Sequence, residues 1–352
     1  MSTATDPKEP TPMSTALAPN TDPVDAPRVT TYVKAFNEAV AQTMREDDDV
    51  FVIGEDVAAY GGVFHMYDGL LAEFGKRRMV DTPIAEMGLI GLGVGAAARG
   101  LRPIVDIMFM DFLAVALDQV VNQAAKMKFM YGGDVKVPMV ITVAYGAGVS
   151  AGAQHSQSLE SWLAHTPGLK VVMPSNAYDA KGLLVSAVRD DNPVVFMLNK
   201  VLLGARGEVP EESYSIPLGQ AAVPREGDDV TIVAFGRMVT EALAAADALA
   251  ESGVSVEVVD PRTVQPLDTA TIVRSASKTN RILVVHEAVT FGGIGAEVAA
   301  QIQEEAFDYL DAPVLRLGAP FTPVPFSTPL ENAYVPDADR IVAGVRRLLE
   351  RN

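Results

Sequence analysis

The chain contains no cysteine, which excludes disulfides, thiolate nucleophiles and cysteine-bound metals together. Histidine is scarce: His65, His155, His165 and His286 are the whole set. No His/Glu pair has the spacing that places two metal ligands on one helical face. The one Gly-x-Ser-x-Gly match, Gly148-Val-Ser-Ala-Gly152, lies within a Gly-rich loop, so a Ser-His-Asp hydrolase is poorly supported. Basic residues are outnumbered, with Lys+Arg at 28 against Asp+Glu at 45. The resulting net charge of −17, with no basic cluster to offset it, argues against nucleic acid and anionic membrane surfaces as partners. No apolar run reaches the length of a membrane span. The first residues lack the cationic start and apolar core of a secretory signal, and the arginines of an organelle transit peptide. A cytoplasmic protein is the expectation these absences leave.

At 352 residues, with 49% hydrophobic and 21% charged residues, the chain is long enough for two domains with separate cores. Residues 1–27 carry six prolines and almost no large apolar side chains, the composition of a disordered tail. From Thr30 the pattern turns helical, with Val33, Phe36, Val40 and Met44 on one stripe and threonines placed to cap it. Strand-like runs follow at 50–53, 103–108, 138–143, 169–173 and 193–197, with helices expected from Phe112 to Met130 and from Tyr178 to Arg189. Residues 206–226, rich in Gly, Pro and acidic side chains, read as a linker. A second alternation then begins: strands at 230–235, 254–259, 282–285 and 314–317, helices at 239–251, 268–277 and 294–310. The expectation is an α/β chain of two doubly wound domains, 28–205 and 227–352, each a parallel sheet covered by helices.

Asp81-Thr-Pro-Ile-Ala-Glu86 is the sharpest local signal. Pro83 sets its own φ and pushes Thr82 toward extended geometry, so a strand end turns here into a helix. Met87 to Ala98 has no charge, and the helix reads as buried on every side. A carboxylate entering it answers either the helix dipole or a specific hydrogen-bonding ligand. Gly88, Gly91 and Gly95 share a helical face, which reads as close packing rather than as a dinucleotide loop. Phe291-Gly-Gly-Ile-Gly295 lacks the full nucleotide spacing and reads as a packing turn. His155, in Gln154-His-Ser-Gln157 after the Gly-rich loop 146–152, is either a proton-transfer group or a surface loop histidine. Met108, Phe109 and Phe112 sit where a parallel strand runs out, placed to meet a flat heterocycle or simply to fill core.

Taken in order, several blocks carry a resemblance: Gly54-Glu-Asp-Val, Asp81-Thr-Pro-Ile-Ala-Glu86, Gly100-Leu-Arg-Pro-Ile, Asp118-Gln-Val-Val-Asn-Gln, Gln154-His-Ser-Gln, Pro167-Gly-Leu-Lys-Val-Val and Asp260-Pro-Arg-Thr. From about Thr30 onward the chain resembles the β subunit of the thiamine-diphosphate-dependent decarboxylating component of 2-oxo acid dehydrogenase complexes. That family is transketolase-like, so the resemblance implies a pyrimidine-binding domain followed by a transketolase C-terminal domain. It implies that Glu86 bonds the aminopyrimidine ring nitrogen of the cofactor and favours the tautomer that activates it. Phe112 would stack on the pyrimidine, Met108 would contact it, and His155 would serve decarboxylation or the hand-over to a lipoyl group. Potassium would be held by the loop containing Ala187, Val188, Asp190 and Asn192, mostly through backbone oxygens.

One further absence matters once this resemblance is stated. Enzymes of this cofactor hold its diphosphate-bound magnesium with a Gly-Asp-Gly motif, and no Gly-Asp-Gly occurs here. The expected partner is therefore an α subunit that brings magnesium and the diphosphate half of the site, in an α2β2 heterotetramer. A lipoyl-bearing dihydrolipoyl acyltransferase core would receive the product. The runs Met108-Phe-Met-Asp-Phe112 and Met130-Tyr-Gly-Gly lean toward pyruvate or acetoin, with branched-chain 2-oxo acids an alternative. Thr142 stands where many relatives carry arginine, and Asn199 where many carry glutamate. A nicotinamide oxidoreductase lacks its loop, and a non-catalytic docking subunit is the rival from another class.

Overall fold

Thr31 ends a short strand in extended geometry, and its side chain accepts from the Lys34 amide, starting the first helix, Tyr32–Glu46. Phe36, Val40 and Met44 of the expected stripe lie buried on that helix, joined by Tyr32, while Val33 is half-buried. The computed structural model describes residues 27–350; the tail expected over 1–27 lies outside these except for Pro27. No described helix is long and apolar enough to cross a membrane.

Two α/β sheets organise the chain. The first has seven strands in the order Thr263–Gln265, Lys170–Val172, Val194–Asn199, Val140–Tyr145, Arg102–Phe109, Val50–Gly54 and Met79–Asp81. All of its pairings are parallel except the edge strand Thr263–Gln265, which runs antiparallel to Lys170–Val172. The second has five strands in the order Leu315–Ala319, Ile282–Val289, Val230–Ala234, Val256–Asp260 and Ala222–Arg225, with only the last antiparallel. Strands buried on both faces, such as Val140–Tyr145 and Val194–Asn199, are the near-continuous apolar runs seen in the sequence. One core cluster reaches from Ile53, Val105 and Ile141 through Tyr145 to Phe235, Val259 and Val284, so it spans both sheets. The stretch 206–226 is not free chain. Arg206–Glu208 pairs with Val29–Thr31, Ala222–Arg225 joins the second sheet, and buried Lys181 donates to the carbonyls of Pro210 (2.7 Å) and Glu211 (2.9 Å).

Three expectations are corrected. The helix from Phe112 to Met130 is broken into a 3₁₀ segment Met110–Ala116, a π-helical stretch Gln119–Ala124 and an α-helix Ala125–Met130. Asp118 engages the amides of Gln119 (3.0 Å) and Asn122 (2.7 Å) beside the widened turn; such insertions re-aim side chains beside sites. The helix Glu86–Ala98 is not buried on every side: Leu89, Ile90, Gly93, Val94 and Ala97 face the core, while Met87 and Leu92 are exposed. Its lack of charge made two unlike faces look alike. The helix expected to run to Leu310 leaves α geometry after Ala306, finishing in a 3₁₀ turn, Phe307–Tyr309.

Candidate active site

Ligands of parallel α/β sheets bind beyond the carboxyl ends of the strands. Five strands of the first sheet deliver their next residues to that edge. Glu55 follows Val50–Gly54, Glu86 follows Met79–Asp81, Phe112 follows Arg102–Phe109, the His155 loop follows Val140–Tyr145, and Lys200 follows Val194–Asn199. Asp81 ties two of these exits together, its carboxylate accepting from the amides of Ala58 (2.7 Å) and Ala59 (3.0 Å).

Glu86 is the first residue of its helix, half-buried, and no side chain caps that helix. Its charge reaches Glu55, whose own carboxyl is held above the usual range by burial and then by Glu86. One Glu55 oxygen is buried without a hydrogen-bond partner among the described residues. A raised carboxyl beside a second carboxylate at a strand-end edge makes a candidate site for a hydrogen-bond-donating ligand. The apolar residues Ile84, Met87 and Leu92 stand exposed around and beyond it.

Phe112 and His155 are brought together. The imidazole meets Phe109 edge-to-face at 4.8 Å between centroids and Phe112 at 5.2 Å. Phe64 packs on Phe109 at 5.5 Å, and Met108 precedes it on the same strand. The helix Glu86–Ala98 packs on the segment Met110–Ala116, which links the Glu86 and Phe112 positions. Lys200 is buried, donates to the His155 carbonyl and lies 5.5 Å from the Phe109 ring centre; burial lowers its pKa, opposed by Asp111, Glu287 and Glu331.

Behind this edge Thr142 and Asn199 each enter a buried network. Asp106 accepts from Thr142 (2.8 Å) and from the Tyr67 hydroxyl (2.9 Å), and burial pushes its carboxyl up to about 6. Asn199 donates to Glu287 at 2.8 Å. Ala187, Val188, Asp190 and Asn192 gather away from that edge, at the turn between Ala177–Arg189 and Val194–Asn199. Arg102 donates to the carbonyls of Val188 (2.9 Å) and Asp190 (3.2 Å), Lys170 pairs with the Asp190 carboxylate, and Lys128 donates to Asn192 at 2.9 Å. His286 belongs to packing: it is fully buried, and a Cβ at Gly293 or Gly295 would come within 2.5 or 2.8 Å of its ring. The turn 291–295 is shaped to admit that imidazole.

Glu55, Lys200, Glu287 and Glu331 were not picked out from sequence as candidates. Only Glu55 had a usable signal, since it directly follows a parallel strand. The others depend on contacts across long stretches of chain.

The pyrimidine-binding domain model of transketolase matches residues 29–205, and the transketolase C-terminal domain model matches residues 219–341. The chain is 48% identical over 334 residues to the beta subunit of acetoin:2,6-dichlorophenolindophenol oxidoreductase from Bacillus subtilis (strain 168), covering 92% of this chain and 98% of that one. The chain belongs to the transketolase-like β-subunit family of the 2-oxo acid and acetoin dehydrogenases. Within that β-subunit family it is 45% identical to the pyruvate dehydrogenase E1 component subunit beta of Rhizobium meliloti (strain 1021), over 90% of this chain and 69% of that one. It is also 45% identical to the 2-oxoisovalerate dehydrogenase subunit beta of Bacillus subtilis (strain 168), over 92% and 99%. A solved split-gene transketolase, described as an inactive β4 tetramer, superposes with a TM-score of 0.76 at 25% identity, covering 91% of this chain and 98% of that one. The two-domain transketolase-like α/β fold expected for a β subunit of this family is the one observed.

Proposed function

We propose that this β subunit works with an α subunit, as an α2β2 heterotetramer, in the thiamine-diphosphate-dependent oxidative decarboxylation of a 2-oxo acid. A pyruvate-like substrate is favoured over a branched-chain one, and the acyl group passes to a lipoyl-bearing acyltransferase. The observation that carries this reading is the open acidic pair Glu55–Glu86 at the same strand-end edge as Phe112 and His155, in a chain without Gly-Asp-Gly.

The residues fit the pyrimidine half of the cofactor. Glu86 is half-buried and uncapped, so its carboxylate can hydrogen-bond a ring nitrogen, and burial together with the Glu86 charge raises the neighbouring Glu55 carboxyl. Phe112 offers an aromatic face for stacking, with Met108 as an adaptable neighbour. His155, held between two aromatic rings, would move the proton at its imidazole during decarboxylation or acyl transfer. The cofactor supplies, when bound, a nucleophilic carbon and an electron sink. Magnesium is assigned mainly to the α subunit. Potassium is assigned to the loop of Ala187, Val188, Asp190 and Asn192, whose carbonyls keep a second lone pair beside the Arg102 contact. The cytoplasm is the proposed compartment, in keeping with a cysteine-free chain.

The 48% identity to an acetoin-type relative favours a second reading, acetoin cleavage with the same cofactor. Co-expression with the α subunit followed by dye reduction with pyruvate, branched-chain 2-oxo acids and acetoin separates the two. Glu86→Gln should lower turnover by about a hundredfold or more while the assembly persists. Unchanged turnover in that variant would leave only a docking role. Micromolar binding of thiamine diphosphate to this chain alone would refute the shared site.

A further inference from the structure

The loop that carries His155 has little secondary structure of its own. Its ends meet where the Gly146 amide donates to the Gln157 carbonyl at 3.4 Å, and within it the His155 amide donates to Gly152 at 3.3 Å. Gly146, Gly148, Ser150 and Gly152 all have positive φ, Ser150 at 53°. A non-glycine residue held there costs conformational energy and persists only when its surroundings over-determine it. Such alternation also turns successive amides toward one point, making an anion-binding concavity.

That concavity is occupied by the chain's own carboxylates. Glu331, on the helix Thr328–Tyr334, accepts from the Gly148 amide (2.7 Å) with one oxygen and from the Ser150 amide (2.8 Å) with the other, and it is 1% exposed. The Ser150 hydroxyl adds a contact to the same carboxylate at 3.3 Å and one to Thr328 at 2.9 Å. Glu287 accepts from the Ala147 amide at 2.5 Å. A side chain at Gly146 would collide with Glu287 and Asn199 at about 2.7 Å, so the glycine is what lets the carboxylate approach. At the far end Asp111 accepts from the Gln157 side chain at 2.8 Å, and Lys200 holds the His155 carbonyl. Asp111 and Lys200 belong to the first α/β unit, whereas Glu287 and Glu331 come from the second.

We propose that Glu331 is a positioning residue for His155, through which the C-terminal half of the chain sets the geometry of a site built on the other sheet. The proposal rests on the reading of His155 as a proton-transfer group. Glu331 touches no reacting atom. By fixing the Gly148 and Ser150 amides of a loop that Glu287, Asp111 and Lys200 hold elsewhere, it helps to keep the imidazole against Phe109 and Phe112. Losing both bonds releases the loop at Gly148 and Ser150, and a catalytic group displaced by a fraction of an ångström loses much of its rate.

The test uses the co-expressed α/β assembly and four proteins: the parent, His155→Gln, Glu331→Ala and Glu331→Gln. Two measurements are made, the pH profile of turnover and amide exchange across residues 146–157. In Glu331→Ala, turnover should fall by about tenfold to a hundredfold. The limb of the pH profile that disappears in His155→Gln should move by about half a pH unit or more, and exchange at residues 147–150 should rise without a matching rise elsewhere. Glu331→Gln keeps one acceptor oxygen and should fall between parent and Ala; it carries the test if the Ala variant does not assemble. A loss of turnover with an unmoved limb and a general rise in exchange would reduce Glu331 to ordinary structural support and overturn the assignment. So would parental behaviour of Glu331→Ala beside an impaired His155→Gln, an outcome that leaves the reading of His155 standing. If His155→Gln itself keeps parental turnover and pH profile, that reading falls and the assignment of Glu331 falls with it.

Discussion

Asp106→Asn should stabilise the protein at pH 8 and do so less and less as the pH falls. Asp106 is buried on the central strand Arg102–Phe109 and accepts only from neutral hydroxyls, Thr142 and Tyr67. No cation pairs with it among the described residues, and burial raises its carboxyl from 3.8 to about 6, partly countered by those two hydrogen bonds. An acid with a raised folded pKa binds more protons folded than unfolded, so its contribution is fully present below pH 3.8 and lost as the pH rises through 6. The whole difference is about 3 kcal/mol at about 1.36 kcal/mol per unit, and about 1.4 kcal/mol of it falls between pH 5 and pH 8. Asparagine cannot ionise, and its carbonyl oxygen, placed where Oδ2 accepts both hydroxyls, keeps both bonds. With an unfolding entropy of about 2.1 cal/mol/K per residue, about 0.7 kcal/mol/K for this length, the difference in melting temperature between variant and parent should grow by about 2 °C from pH 5 to pH 8. Thermal scans of both proteins at the two pH values measure it directly, and the other titrating groups cancel in the comparison. A variant that melts below the parent at pH 8, or by a pH-independent margin, would show that the Asp106 charge is supported by its surroundings and refute the argument.

Two further outcomes follow from the buried structure. Gly168 has φ +103° and its missing Cβ would fall on the Ala125 carbonyl oxygen, so Gly168→Ala should cost about 3 kcal/mol or more, read as a melting temperature lower by several degrees. His286 is buried with its pKa lowered to about 4 by that burial, so its neutral form stabilises the fold above pH 6.5 and the benefit is lost as the pH falls toward 4. His286→Gln should therefore flatten the acid limb of the melting-temperature profile by about 3 kcal/mol over that range; an unchanged limb would mean that the ring is solvated.

The alternation of buried strands and amphipathic helices was legible because each parallel strand writes an apolar run of its own. The sheet order was not legible, and neither was the antiparallel edge strand Thr263–Gln265, three residues from the far half of the chain completing the first sheet. So short a strand carries no period. The helix Glu86–Ala98 misled for a related reason: an apolar face awaiting a partner and one facing the core have the same composition, and only solvent exposure of Met87 and Leu92 separates them. The break at Gln119–Ala124 leaves a helical composition intact, so residue counting passes through it.

Among the proposed site residues, Glu86, Met108 and Phe112 could be nominated from the sequence, since each stands where a parallel strand ends and the chain turns. His155 could be nominated from its glycine-rich loop. What surrounds them could not. Glu55 raised by burial and by the Glu86 charge, Lys200 fastened to the His155 carbonyl, and Glu287 and Glu331 filling the loop's amides depend on residues up to about 180 positions apart. The sequence alone determined the fold class, the family resemblance and the missing diphosphate motif, because periodicity and motif are local properties of a chain. Tertiary structure alone decided which carboxylates are buried, which amides they satisfy and which apolar face stays open, because burial and hydrogen bonding depend on what the rest of the fold brings near.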